Sequence, residues 1–154
     1  MDGFHLANET LEARGLLAVK GAPETFDVDG FVRMLERVRD GAATVLWPAF
    51  DRSREETVPD AIAIASSTKL VVVEGNYLLL DQPGWRDVRP LLDEVWYMDV
   101  PTAVLRERLV ARATSGRRTP AEAIEHVDGS DLVNARLVEG TKGAADRVLC
   151  GDER

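Results

Sequence analysis

Residues 69–80 read KLVVVEGNYLLL. Leu70, Val71, Val72 and Val73 are four consecutive apolar residues rich in β-branched types, running straight into Glu74 and Gly75. A run that is apolar on both faces predicts a strand inside a parallel sheet covered by helices, not one at a half-wet edge. In such sheets ligands sit beyond the carboxyl ends of the strands, where Glu74 would stand. A carboxylate at that place must be solvated, paired or bound to a cation, because burying it alone is costly.

An apolar strand ending in an acid is also the pattern of a Walker B strand, whose acid supports a magnesium-bound nucleotide. The plainer reading is an acid that caps a neighbouring loop, and the residues alone leave both open.

Around this centre the chain alternates strands and helices, which predicts an α/β protein. Asp27 is placed to cap a helix carrying Phe31, Met34, Leu35 and Val38 on one face, and Gly41 to end it. Leu11 to Leu17 predicts a short helix, and Lys20-Gly21-Ala22-Pro23 a loop. Thr44 to Trp47 predicts a strand stopped by Pro48, followed by the charged stretch PAFDRSREE as an exposed arm. Ala61 to Ala65 is read as a weak helix leading into the central strand.

Val95 to Val100 predicts a second buried strand, and Pro101 suits the first turn of a helix carrying Val104, Leu105 and Leu109 inward. Thr119-Pro120-Ala121-Glu122 has capping-box spacing with proline at the first helical position. Ser130 is placed to cap a further helix, and Arg147 to Cys150 to form a last strand.

The 154 residues fit a single domain over 1–154 with a real core. With 27 acids against 19 bases the net charge is -8, which argues against nucleic acid as a partner. One cysteine, Cys150, rules out an internal disulfide framework and suits a reducing cytoplasm. No run approaches a membrane span, and the first residues do not read as a signal peptide, so a cytoplasmic protein is expected. Without secretion, the glycosylation pattern Asn8-Glu9-Thr10 carries no weight.

Five segments, MDGFHL (1–6), ARGLLAVKGAPETFD (13–27), PAFDR (48–52), VVVEGNYLLL (71–80) and SDLVNARLVEGT (130–141), occur in this order. Together they resemble the phosphoribulokinase/uridine kinase superfamily of P-loop kinases. The likeness is greatest to its nucleoside/nucleotide kinase branch, and the first two segments are similar also to type I pantothenate kinases. The resemblance covers nearly the whole chain. It implies a P-loop-kinase-like parallel sheet flanked by helices, ATP and Mg2+ as cofactors, and transfer of the terminal phosphate to a hydroxyl of a small metabolite. A homodimer is plausible in that family.

The same resemblance assigns roles. Asp2 corresponds to the acid that orients or deprotonates the acceptor hydroxyl, and Glu74 to the acid serving the metal. His5, Lys20 and Arg52 would bind the acceptor. Arg108 and Arg112, with Arg117 and Arg118, match the lid that closes over phosphates, for which guanidinium groups are suited. Asn134 lies in a segment that contacts the nucleotide base in similar kinases. Taken alone, Asp2 reads as a frayed terminal residue and Arg108 and Arg112 as a solvated helix face. His126 has no motif and is expected to be structural or exposed.

The family's phosphate-binding loop, G-x-x-x-x-G-K-[ST], occurs at none of the glycines. The first strand, that loop and the first helix are therefore expected upstream of the chain, Met1 being an internal methionine mistaken for a start. The alternative is a natural remnant that cannot bind ATP but keeps an acceptor pocket or a protein-binding surface. The acceptor class stays open among nucleosides, pantothenate-like compounds and sugars. PAFDRSREE does not reproduce the tyrosine-containing acceptor segment of pantothenate kinases.

Overall fold

Asp27 turns the chain into its best-formed helix by accepting, at 2.9 Å, a hydrogen bond from the Gly30 amide. The computed structural model describes residues 1–41, 43–116 and 118–151, in two compact units, Met1–Asp93 and Glu94–Arg154. In the first unit, α1 (Asn8–Ala13) and α2 (Val28–Arg39) precede a hairpin of β1 (Thr44–Asp51) and β2 (Glu56–Ala65). Phe31 and Leu35 of α2 are buried and Met34 and Val38 half-buried, as the helical spacing predicts, and Gly41 leaves the helix at φ +70°.

The core of this unit is aromatic. Phe31 meets Phe4, Trp47 and Trp85 at ring-centre distances of 5.0, 5.8 and 6.2 Å. Phe26 and Tyr77 extend the cluster, each edge-on to Trp85. Tyr77 and Trp85 bury their polar ends on backbone carbonyls, those of Gly21 and Pro23.

Three sequence readings change here. Pro48 does not stop the strand: β1 continues to Asp51, and the ladder skips from Trp47–Ile62 to Ala49–Val58. Proline has no amide proton to give, so the partner strand bulges past it, with Asp60 at φ +54°. Residues 61–65 are strand, not helix, because Ile62 and Ile64 pair with Trp47 and Val45 and cross-strand pairing overrides a weak local preference. The stretch 70–74, expected to be the central strand, forms no ladder among the described residues. Leu70 and Val72 are 78% and 83% exposed, since no strand is placed beside them.

Beyond it, single 3-10 turns at Trp85–Asp87 and Arg89–Leu91 bury Trp85 and Val88.

The second unit is built on a parallel pair, β3 (Trp96–Asp99) with β4 (Arg147–Cys150). The connection carries α3 (Thr102–Ser115), α4 (Pro120–His126) and α5 (Leu132–Glu139). Parallel strands need such a crossover. Val104, Leu105 and Leu109 are half-buried along α3. Asp146 ties the sheet's start by accepting from the Val95 amide at 2.6 Å. The capping box is present, Thr119 and Glu122 bonding to each other's backbone amides.

Two further expectations are corrected. Ser130 caps nothing: the chain runs through a π turn, Val127–Asp131, directly into α5, with buried Val127 and Leu132 holding it inward. The strand at 95–100 is not buried on both faces, for Trp96 and Met98 are exposed. No described helix is long and apolar enough to cross a membrane.

Candidate functional site

Asp2 sits in a single 3-10 turn, Asp2–Phe4, and Gly3 fixes that turn against β1. A Cβ on Gly3 would lie 2.2 Å from the Pro48 carbonyl oxygen, so only glycine admits this approach. The Asp2 carboxylate accepts from the Arg52 guanidinium at 2.8 Å, joining the turn to the tip of the hairpin. Its backbone carbonyl takes the His5 amide at 3.1 Å and His5 Nδ1 at 2.8 Å.

His5 lies between two rings, 4.1 Å from Phe26 and 4.9 Å from Phe50. Burial among them pushes its pKa down, opposed by the Asp2 carbonyl and carboxylate. Because a carbonyl only accepts, Nδ1 carries the proton and the neutral ring leaves its lone pair on Nε2.

A depressed imidazole pKa means that the unfolded chain takes the proton more readily. Its stabilising contribution is therefore present above the unfolded pKa near 6.5 and lost as pH falls below it. The thermal midpoint of the wild type should drop more steeply between pH 7 and pH 5 than that of His5→Gln. Parallel curves for the two proteins would remove His5 as the cause.

The hairpin tip is locally encoded. Asp51 Oδ1 accepts from the Ser53 amide and hydroxyl and from the Arg54 amide, which turns the chain and lowers the Asp51 pKa, the Ser53 hydroxyl contributing most. Lys20 reaches this tip, and Thr57 donates to the His5 carbonyl at 3.1 Å. Asp2, His5, Lys20 and Arg52, separate in sequence, are thus linked by the hairpin. Glu74 adjoins them through Met1, whose backbone nitrogen lies 2.7 Å from the Glu74 carbonyl.

A shallow hollow elsewhere, lined by Val38, Val45, Ile64, Ser66 and Thr68 among others, carries none of these residues.

The remaining candidates belong to the second unit. Arg108 and Arg112 are exposed on α3, Arg118 is exposed just before α4, and Asn134 is half-buried on α5. Arg117 lies outside the described residues. His126 is 3.6 Å from Asp131 across the π turn, in keeping with a structural place.

Sequence reasoning missed Asn8, Phe50 and Thr57, which organise the cluster. Asn8 opens α1, and Phe50 and Thr57 lie at the facing ends of β1 and β2, and a single polar side chain or ring gives no periodic signal. It also missed two pairs in the second unit. Arg106 forks onto Asp128 at 2.7 and 2.8 Å, and Lys142 bonds to Asp99 at the carboxyl end of β3. An i, i+4 search would not have found either, since their partners lie 22 and 43 residues away.

Proteins of known sequence and structure are similar to this chain over most of its length. An ATP-dependent kinase-like protein of Aspergillus versicolor, notR', is 37% identical over 164 residues, covering 100% of this chain and 95% of its own length. A candidate fructose transport system kinase from Silicibacter sp. TM1040, known as a crystal structure, is 42% identical. It superposes with a TM-score of 0.91 over 97% of this chain and 72% of its own. The chain belongs to the phosphoribulokinase/uridine kinase superfamily of P-loop kinases.

A candidate uridine kinase of Schizosaccharomyces pombe is 36% identical over 97% of this chain. YFH7 of Saccharomyces cerevisiae, a candidate P-loop kinase with a circular permutation, shares the fold at a TM-score of 0.86 and 24% identity. No family model matches the chain. This kinase-family chain spans 66% of the length of the Schizosaccharomyces relative. It spans 59% of Escherichia coli YggC, which is 41% identical.

Proposed function

We propose that these 154 residues belong to an ATP-dependent small-molecule kinase, with Asp2 serving the acceptor hydroxyl. The observation that carries this reading is the Asp2–Arg52 pair at 2.8 Å, which ties the family's acid to the family's acceptor arm. A carboxylate suits the role because the hydroxyl proton must leave as the oxygen bonds to phosphorus. His5 and Arg52 would line the acceptor, Arg108, Arg112 and Arg118 would meet phosphates, and Asn134 the nucleotide base.

Glu74 is the residue for magnesium. Its carboxylate is 84% exposed, and no group of three or more His, Cys, Asp or Glu among the described residues would hold a metal ion. One carboxylate, with phosphate oxygens and waters completing the shell, fits what that ion requires. When bound, magnesium would neutralise charge between the terminal phosphates.

No stretch of the 154 residues has the form G-x-x-x-x-G-K-[ST]. Magnesium–ATP binding to this chain, measured by calorimetry, is therefore expected to be very weak. A tight complex would mean that its phosphates are held by other means. Reading the in-frame codons upstream of Met1 separates the two functional readings. An apolar run followed by the missing loop supports the kinase. An immediate stop codon supports a non-catalytic remnant that keeps an acceptor pocket or a protein-binding surface. The gene product carrying the loop, screened for ADP release with nucleosides, pantothenate-like compounds and sugars, then identifies the acceptor. Activity with none of them would count against the proposal.

A further inference from the structure

Lys20 also holds the hairpin tip. Its ammonium donates at 2.8 Å to the Asn8 side-chain oxygen at the start of α1 and at 2.8 Å to the Glu55 carbonyl in the tip. It also lies 5.3 Å from the centre of the Phe50 ring, the ring that covers one side of His5. Glu55 is at φ +56°, a left-handed conformation that a non-glycine residue keeps only when its surroundings hold it there.

We propose that Lys20 is a positioning residue, a latch that pins the hairpin tip to α1 and thereby sets Arg52 on Asp2. The proposal rests on reading the arm as part of the acceptor site. Arg52 is the reason a latch matters: its side chain is 73% exposed and Asp2 is its ion-pair partner, so its placement follows that of the tip. With both oxygens it bonds being neutral, Lys20 spends its donors on chain geometry. A hydrogen bond from a charged donor to a carbonyl is among the stronger local ties. The charged groups felt at His5 from the packed segments are Asp2, Lys20 and Glu55, and the latch fixes the last two relative to the first.

The test is amide hydrogen exchange at residues 51–57 of the whole chain, in wild type, Lys20→Met, Asn8→Ala and the double variant. Either single change should speed exchange there by on the order of tenfold, the factor one charge-assisted hydrogen bond commands. The double variant should go no further than the stronger single one, because both changes open one latch. Lys20→Arg, which keeps the charge over Phe50 and its donors, should restore most of the protection.

Unchanged exchange in Lys20→Met overturns the latch, whether or not an acceptor is ever found. In the gene product active on an identified acceptor, Lys20→Met should raise the KM for acceptor and lower kcat, Asn8→Ala doing the same. A raised KM with exchange unaltered would instead put Lys20 on the acceptor itself and overturn the latch. Faster exchange with unaltered kinetics upholds the latch and removes the arm from the acceptor site.

Discussion

Asp2→Asn is expected to lower phosphoryl transfer by about 10²–10⁴-fold, the range typical of a positioned acid or base. The change is nearly isosteric, so the turn at Asp2–Phe4 should persist. Its backbone carbonyl still takes the His5 ring and amide, and Gly3 still seats on Pro48. What disappears is the group able to take the hydroxyl proton, together with the charge that Arg52 meets. The loss should fall on kcat, with the KM for acceptor moving far less. Stability should barely move, since an ion pair this exposed contributes about 0–1 kcal/mol. The measurement is steady-state ADP release by the gene product on its best acceptor, with a melting curve as control. A folded variant whose kcat falls less than about tenfold would remove Asp2 from the chemistry.

Phe31→Ala is expected to cost about 3–5 kcal/mol of stability. Phe31 is 0% exposed on α2 and meets the rings of Phe4, Trp47 and Trp85. Those rings come from the turn beside Asp2, from β1 and from the 3-10 turn after Gly84, segments that no single hydrogen-bond ladder joins. Truncation leaves a cavity that four independently anchored pieces cannot collapse to fill. Phe31→Leu, which refills most of it, should cost much less. Against a typical total of about 5–15 kcal/mol, the alanine variant would retain little margin. Urea unfolding followed by tryptophan fluorescence reads this directly, as Trp47 and Trp85 report from within the cluster. A cost below about 1 kcal/mol would show that the core lies elsewhere.

These two changes separate what is local from what is assembled. The α2 helix was legible because its signals are local and agree: a capping Asp27, apolar residues at helical spacing, and a terminating glycine. The Thr119–Glu122 box and the last strand, Arg147–Cys150, were legible on similar grounds. The helix expected at 61–65 was not found because Ile62 and Ile64 sit among alanines, which favour helix until a partner strand is beside them. The run at 70–74 has every mark of a strand except neighbours, and a ladder is made between segments, not within one. At the site, the DGFH and EGNYLLL motifs pointed to Asp2, His5 and Glu74, whereas Asn8, Thr57 and the reach of Lys20 carried no signal.

Periodicity and capping strings by themselves determined an α/β chain and two of its capped helices, while the five ordered segments pointed, by resemblance, to the kinase family. Those properties are written in spacings of three or four residues or in short strings. Tertiary structure alone decided that the arm at 48–56 is the end of β1 and the tip of a hairpin, and that Arg52 meets Asp2 across 50 positions of chain. The physical reason is that a hydrogen bond or a ring contact between distant segments depends on how the whole unit packs, and no local pattern encodes it.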